Sequence, residues 1–501
     1  MPRRRARSDL ETALVSDDDK SDVSSDDERD AEVERRRGGD LEVDDAVLLL
    51  ADDDASVSDA DEEVGDDAPG GDAGDLRTTF ALWNCMVRSS ALAAPWAFTE
   101  SGLALGVAAS VAIGGLMAYT STLVLRYGVR GKFDDLSAMC GAHLGRWARV
   151  GCNVAMALML AQTVVVFDMM LSTSVYGIVK GFSGISSDNG DKSAHALSTF
   201  MDAPSNATNS SDWSTCSNAA RDFAKCWNPF TAVVVTGVAL MLLGAVRNLD
   251  GFVAVSVAGP FFMTYLIFFI VFKSVVAEKP VMPISPYANF STFAKTTGFL
   301  TNCMFSHHAI IPVCRANSKS KNNVRNLLMA YALTLVSYLA PAVAGNFSAA
   351  YVAVRTGPNG SSRAANFLRV YPANDYYTLS AHIAMTVQFL TMVPLLLYIL
   401  RVQVAGLLPS VSQKYENIVA TFINASVITL GSLCAAHPGI DIGFILSKAG
   451  GLFGLIFAYA APVLVHIFGR RGRQHPLWNH LLHGGILAVG VAVAVSQFVP
   501  T

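Results

Sequence analysis

The sequence predicts an all-α membrane protein, with eleven transmembrane helices behind a disordered, acidic N-terminal tail. Three observations predict it. Apolar stretches of about 20 residues recur from residue 78 onward, each long enough to cross a ~30 Å hydrocarbon core as a helix. Hydrophobic residues make up 52% of the 501 and charged ones only 16%, a membrane-protein composition. The charge is also divided: residues 1–77 hold 27 Asp+Glu against 10 Lys+Arg, a net −17, which leaves +13 for the rest of a chain that totals −4.

The tail, residues 1–77, is Asp, Ser, Gly and Ala with almost no aromatics, too charged to bury a core, and is read as disordered. Its opening, MPRRRARSDLETALVSDDDK, lacks the apolar region of a secretory signal, so the amino terminus is expected in the cytosol. One apolar island, DDAVLLL (44–50), places Asp44 four residues before the pair Leu48 and Leu49. That spacing reads either as an acidic dileucine signal for endosomal and lysosomal sorting adaptors or as a chance aliphatic run. Ser16, Ser21, Ser24 and Ser25 sit among acids, where phosphorylation would make the tail still more anionic.

The eleven spans are 78–99, 103–126, 150–178, 229–246, 251–276, 296–314, 326–346, 377–400, 417–435, 441–468 and 478–498, which makes residues 78–499 one membrane domain. A cytosolic amino terminus puts Arg126, Arg130, Lys132, Arg146, Arg149, Arg247, RANSKSKNNVR (315–325), Arg401, Lys414 and RRGR (470–473) on the cytosolic side, a positive-inside pattern. The sequons at Asn206, Asn209, Asn289, Asn346 and Asn359 fall in gaps on the opposite side, where glycosylation takes place, whereas Asn424 lies within a span. Cys216 and Cys226 share the long outer gap, where they form a local disulfide or stay free thiols; no other cysteine spacing suggests structural zinc.

Ionisable groups at bilayer depth are functional candidates by default, because they cost several kcal/mol unless paired or wetted. Arg88, in NCMVRSSALAAPWAF, is ten residues past the start of its span, about 15 Å at 1.5 Å per residue, too deep to snorkel. Ser89, Ser90 and Pro95 after it suit a locally unwound helix, the kind of break in which transporters expose backbone groups to substrate and ion. Asp168 is the acid well inside a span, the third, and an Arg88–Asp168 ion pair is expected, either a static bridge or a gate. In MFSHHAIIPVC (304–314), Pro312 with Ser306, His307 and His308 suggests a second break, in which His307 is the substrate-binding candidate and a histidine couples protons or donates to a neighbouring helix. In VQFLTMVPLLLYILR, Gln388 and Thr391 share a face just before Pro394, and a threonine hydroxyl with freed carbonyls is a hard-oxygen set suited to sodium, or serves as glue between helices.

These segments, with FSHHAIIPVCRANSKSKNNVRNLLMAY and VQFLTMVPLLLYILRVQVAG the most specific, resemble the amino acid/auxin permease superfamily. Within it the likeness is to the sodium-coupled neutral amino acid transporter branch and its lysosomal arginine-sensing member. The resemblance implies a LeuT-type inverted repeat of five plus five helices with one more at the end. It also implies that Cys85, Met86, Val87, Arg88, Ser89 and Ser90 bind the substrate's amino and carboxylate groups, that Thr391 closes a sodium site with span-one carbonyls, and that Pro95–Trp96 is the family's PW. Arg88 departs from it by standing where the family usually has glycine, and Asp168 by being an acid at all. The tail lacks the Tyr/Pro-containing segment with which the lysosomal member engages its Ragulator–Rag partners.

The function expected is secondary active transport of amino acids, neutral ones favoured, by alternating access across an endolysosomal or vacuolar membrane, with the plasma membrane as the alternative. Na+ or H+ is the coupling ion, with no other cofactor. The competing function is a nutrient sensor that signals occupancy to cytosolic signalling or adaptor proteins through the tail. Amino acid substrate and lipid bilayer are the remaining partners, and no nucleic acid is expected. Eleven unequal spans offer no symmetric channel pore. The sequence also shows no metal-ligand cluster, nucleotide loop or nucleophile constellation of an enzyme. Substrate choice turns on Arg88: unpaired, it repels a cationic side chain and holds a carboxylate, while pairing with Asp168 leaves a nearly neutral pocket.

Overall fold

The computed structural model describes residues 74–182, 227–246, 258–357, 365–407, 409–437, 440, 442–469 and 477–499, and every regular element among them is helical. Asp44, Leu48, Leu49, Asn206, Asn209, Cys216, Cys226 and Asn359 lie outside the described residues. In chain order the helices are α1 (Asp75–Met86), α2 (Ala94–Ser101), α3 (Leu103–Arg130), α4 (Leu136–Leu144), α5 (Arg146–Phe182), α6 (Pro229–Gly244), α7 (Gly259–Val271) and α8 (Phe293–Cys303). Then follow α9 (His307–Arg315), α10 (Asn323–Asn346), α11 (Ala349–Thr356), α12 (Tyr376–Leu407), α13 (Pro409–Ala436), α14 (Ile442–Gly454), α15 (Ala461–Phe468) and α16 (Leu477–Ser496). A 3-10 turn, Ser89–Ala93, leads into α2, and wider π-type turns extend α7 (Phe272–Val276) and join α14 to α15 (Leu455–Ala460).

All-helical architecture is what a lipid solvent demands, since a helix satisfies its backbone polar groups internally. Eight helices among the described residues are long and apolar enough to cross a membrane, and Pro229–Gly244 is a shorter apolar one. The remaining apolar stretches, the expected spans one and six, are each built from two short helices, α1 with α2 and α8 with α9. Outward faces carry Leu242, Phe261, Phe268, Val336, Phe422 and Leu433, each more than 60% exposed, where a water-soluble fold would carry charge. Side chains start the helices that follow turns: Asp135 accepts from Ala138 N (2.6 Å), Asn228 from Thr231 N (2.8 Å) and Ser348 from Tyr351 N (3.1 Å).

Two glycines set close approaches. Gly102, at φ +81°, turns the chain between α2 and α3, and a Cβ there would lie 2.6 Å from the Tyr287 carbonyl oxygen. At Gly450 a Cβ would lie 1.8 Å from the Gly298 carbonyl oxygen, so α8 and α14 cross backbone to backbone. Trp96, 1% exposed, wedges between these helices: its ring fills the space beside Gly443 of α14 and meets Phe299 of α8 edge-on at 6.4 Å. Pro394 does not break α12, which runs on as one helix of 32 residues, and Pro312 lies inside α9.

Candidate functional site

The first apolar stretch unwinds at Val87 (φ −80°, ψ 109°) and Arg88 (φ −124°, ψ 176°), both extended. Such a break strands backbone groups in the protein interior, and one side chain of α10 collects them. The Tyr338 hydroxyl donates to Met86 O (3.1 Å) and accepts from Arg88 N (3.3 Å), with Ser90 Oγ at 2.8 Å. One hydrogen and two lone pairs are thereby all used. The second break, at Met304–Ser306, is closed in the same way from the same helix. There the Tyr331 hydroxyl donates to Met304 O (3.3 Å), with Ser306 Oγ at 3.0 Å and Ser121 Oγ at 2.6 Å. Residues 331 and 338 are two turns apart on one face of α10, a seven-residue spacing visible in the sequence whose role becomes readable only with the breaks in place.

Between α1, α5, α7, α9 and α12 lies a cavity of about 360 Å³. Cys85, Val87, Arg88 and Ser89 line it from the first break, His308 from α9 and Gln388 from α12. Its walls are apolar, with Met156, Met159, Phe167, Phe389, Met392 and Leu396 prominent. Within it Arg88 Nε donates to Cys85 O (3.1 Å), and no carboxylate among the described residues pairs with the guanidinium. Among the described residues the buried Gln388 Oε1 and His308 Nδ1 have no hydrogen-bond partner. The site therefore presents a fixed cation, unused acceptors and apolar walls, a set that matches a small zwitterion. The lining runs from Arg88 toward Asp135, Ser137 and Gln403, the end of the bundle that carries Lys132 and Arg401.

The opposite end of the bundle is tied together by ion pairs. Glu100, 2% exposed, accepts from Lys295 Nζ (3.0 Å) at the start of α8 and from the Arg355 guanidinium at the end of α11. Glu278 Oε2 holds the other end of α11, accepting from Ser348 Oγ (3.1 Å) and Ala350 N (3.2 Å). Tyr351 of α11 is fully buried and bonds Thr99 Oγ1 at 3.0 Å. The short helix is thus clamped over the C-terminal end of α2. At the end of the bundle toward which the cavity runs, Asp75 begins α1 and binds Asn326 (3.0 Å), Asn322 (2.7 Å), Asn317 (3.3 Å) and Arg325 (3.0 Å). The Asn326 hydrogen bond above all, against some desolvation, holds its carboxyl below the usual carboxylate range, with Asn322, Asn317 and Arg325 adding to it.

Several expected placements need correction. Arg88 and Asp168 do not pair: Arg88 faces the cavity, whereas Asp168, fully buried on α5, turns to α13, where Ser432 donates to Oδ2 (3.0 Å). His307 does not reach the cavity; its Nε2 meets Thr120 Oγ1 (2.9 Å) and Ser121 Oγ (3.3 Å), and its neighbour His308 takes the cavity position. Met86 is fully buried against Thr334 (3.7 Å) and contributes only its carbonyl to the break, and Ser90 is buried on Tyr338. Gln388 lines the cavity but Thr391 does not, its hydroxyl being satisfied by Gln388 O (2.9 Å) and Val387 O (3.2 Å) of its own helix. Asn346 is 1% exposed with both amide hydrogens engaged, to Pro95 O and Ala342 O at 2.9 Å, so its side chain packs inside the bundle rather than standing free in a loop. The charges of Glu100, one residue past the expected first span, and of Asp75 escaped the sequence reading because each looked like an end residue.

Comparison with known proteins points the same way. A family model described as transmembrane amino acid transporter protein matches residues 72–498. The neutral amino acid transporter 9 of Danio rerio is 25% identical over 449 residues, covering 84% of this chain and 80% of that protein. The Xenopus tropicalis protein of the same name is 26% identical over 450 residues, covering 84% and 79%. The sodium-coupled neutral amino acid transporter 9 homolog of Caenorhabditis elegans is 24% identical over 467 residues, covering 86% and 74%.

Proposed function

The chain belongs to the transmembrane amino acid transporter family, whose members carry amino acids and are not enzymes, and from that premise we propose that it transports neutral amino acids by alternating access. The observation that carries the substrate class is Arg88, a cation without a carboxylate partner among the described residues, held in an interrupted helix on the wall of a closed-ended cavity. A guanidinium binds a carboxylate bidentately, and in a low-dielectric cavity it repels a second cation. Gln388 Oε1 and carbonyls around the break are acceptors for the ammonium group, and the Met and Phe walls suit an uncharged side chain. The names of the relatives support the same class.

In this reading the eleven apolar stretches are eleven spans, arranged as a five-plus-five inverted repeat with one more at the end, and the two breaks lie in the first helix of each repeat. The cavity reaches toward the basic, cytosolic end while α11 is clamped over the other, which supports an inward-facing state. Sodium or a proton drives uptake, and Asp44, Leu48 and Leu49 direct the protein to an endolysosomal or vacuolar membrane. A sensing role is favoured by one observation: Asp75, where the tail meets α1, is tied to the 317–326 segment, so movement of α1 is felt at the tail. The test is uptake of a labelled amino acid panel into proteoliposomes, with sodium and pH gradients imposed separately. Neutral amino acids should accumulate against their gradient. A preference for cationic ones, or binding without flux, would overturn the transport reading as stated.

A further inference from the structure

Outside the substrate cavity the described membrane helices bury one carboxylate that the mechanism above leaves unused. Asp168 is fully buried on α5; among the described residues Ser432 supplies its one side-chain donor, and Oδ1 has no hydrogen-bond partner. One turn on, Ser172 donates to the Asp168 carbonyl (2.8 Å) and meets Thr236 of α6 at 2.7 Å, so the carboxyl lies in a polar seam between α5, α6 and α13. Of the elements packed on α5, α13 brings Cys434 near the carboxyl. Among the described residues, α4, α6, α12, α14 and the turn Leu455–Ala460 bring no charged side chain to it.

An ionised carboxylate has room for about four hydrogen bonds, and burial with one donor and no counter-charge is the costly case. The same group is tolerated as a neutral acid. A metal ion does not fit the seam. Calcium-like hard cations gather six or more oxygens at about 2.4 Å, whereas here even a Cβ on Gly431 would lie 2.7 Å from Oδ2 and one on Gly237 2.8 Å from Ser432 Oγ. A proton needs no such space. We propose that Asp168 is a proton-binding site of the transport cycle, protonated in this conformation and released when α5 and α13 separate. The carboxylate takes one proton from the water on one side of the membrane and returns it to the water on the other. The link to substrate is α5 itself: the preceding residue, Phe167, lines the cavity and packs on Phe389 at 4.7 Å. The proposal rests on the transport reading but adds to it a site that this reading does not assign.

The test uses the full chain in two formats. Infrared spectroscopy of the reconstituted protein at neutral pH should show a protonated-carboxyl stretching band that disappears in Asp168→Asn. In proteoliposomes, the ratio of neutral amino acid uptake with and without an imposed pH gradient should fall to about one in that variant. Ser432→Ala, which keeps the carboxyl and removes its donor, guards against misfolding of Asp168→Asn: it should retain the band at an altered frequency and displace the pH dependence of uptake. A band unchanged in Asp168→Asn and Ser432→Ala, or a pH-gradient ratio equal to that of the unmodified protein in both, overturns the proton site. Absence of amino acid flux in the unmodified protein, with the band present, overturns the transport reading and leaves the protonated carboxyl standing.

Discussion

Tyr338→Phe removes one oxygen atom and nothing else from a ring that stays packed at 6.4 Å against Phe299. That oxygen closes the break at Arg88 through Met86 O (3.1 Å), Arg88 N (3.3 Å) and Ser90 Oγ (2.8 Å). Ser90 can turn its hydroxyl to another acceptor, but the two backbone groups cannot move without moving the helix. A lost hydrogen bond costs about 0.5–1.5 kcal/mol net, and a buried orphan about 1–3 kcal/mol. Arg88 N makes the longer, only part-buried bond (3.3 Å) beside the cavity, so its share is taken at the low end and the total comes to about 2 kcal/mol. If only a fraction of molecules keep the break in its binding geometry, apparent affinity falls by that fraction. At ~1.4 kcal/mol per factor of ten the drop is roughly 10- to 30-fold. The assay is substrate-induced thermal stabilisation of the purified protein, titrated for the unmodified chain and for Tyr338→Phe. Unchanged affinity and unchanged stability in Tyr338→Phe would refute the claim that this hydroxyl maintains the broken helix.

Three further outcomes are expected. Glu100→Gln weakens the clamp on α11; breaking a buried pair costs about 3–5 kcal/mol, and the 39% exposure of Lys295 lowers this to about 1–3 kcal/mol. A cysteine at Thr99, beneath α11, should then react faster with an impermeant maleimide, and an unchanged rate speaks against the clamp. Because the Asp75 carboxyl is held below its ordinary value, chiefly by Asn326, its contribution is present above the unfolded carboxylate range near ~3.9 and is lost as pH falls through the lowered folded value. Melting curves should therefore separate Asp75→Asn from the unmodified protein equally at neutral and mildly acidic pH, and converge only in strong acid. Asn346→Gln should leave electrophoretic mobility before and after glycosidase unchanged while lowering stability by about 1–3 kcal/mol, the cost of disturbing a buried hydrogen-bonded amide; a mobility shift would contradict the burial.

The membrane class, the break at Arg88 and the break before His307 were legible because a charge, hydroxyl residues and prolines interrupt otherwise uniform apolar runs. What closes the breaks was not. Tyr331 and Tyr338 act from about 25 and 250 residues away, and nothing local marks them. The Arg88–Asp168 pair failed because opposite charges in two helices do not fix which faces meet: of two adjacent residues of α5, Phe167 faces the cavity and Asp168 faces α13. His307 and His308 were confused for the same reason, since adjacent helical residues point about 100° apart. Pro394 predicts a break, yet α12 continues through it as one helix. Asn346 was placed at a loop edge by hydropathy, but the last turn of α10 carries it into contact with Pro95.

The central claim is that Arg88 binds the substrate carboxylate. The most direct measurement compares binding of a neutral amino acid with that of its decarboxylated amine, in the unmodified protein and in Arg88→Ala. The unmodified protein should prefer the amino acid by at least about tenfold, a charge-assisted bond being worth roughly 1.5–3 kcal/mol, and Arg88→Ala should lose this preference. Equal binding of acid and amine by the unmodified protein, or an undiminished preference in Arg88→Ala, would contradict it.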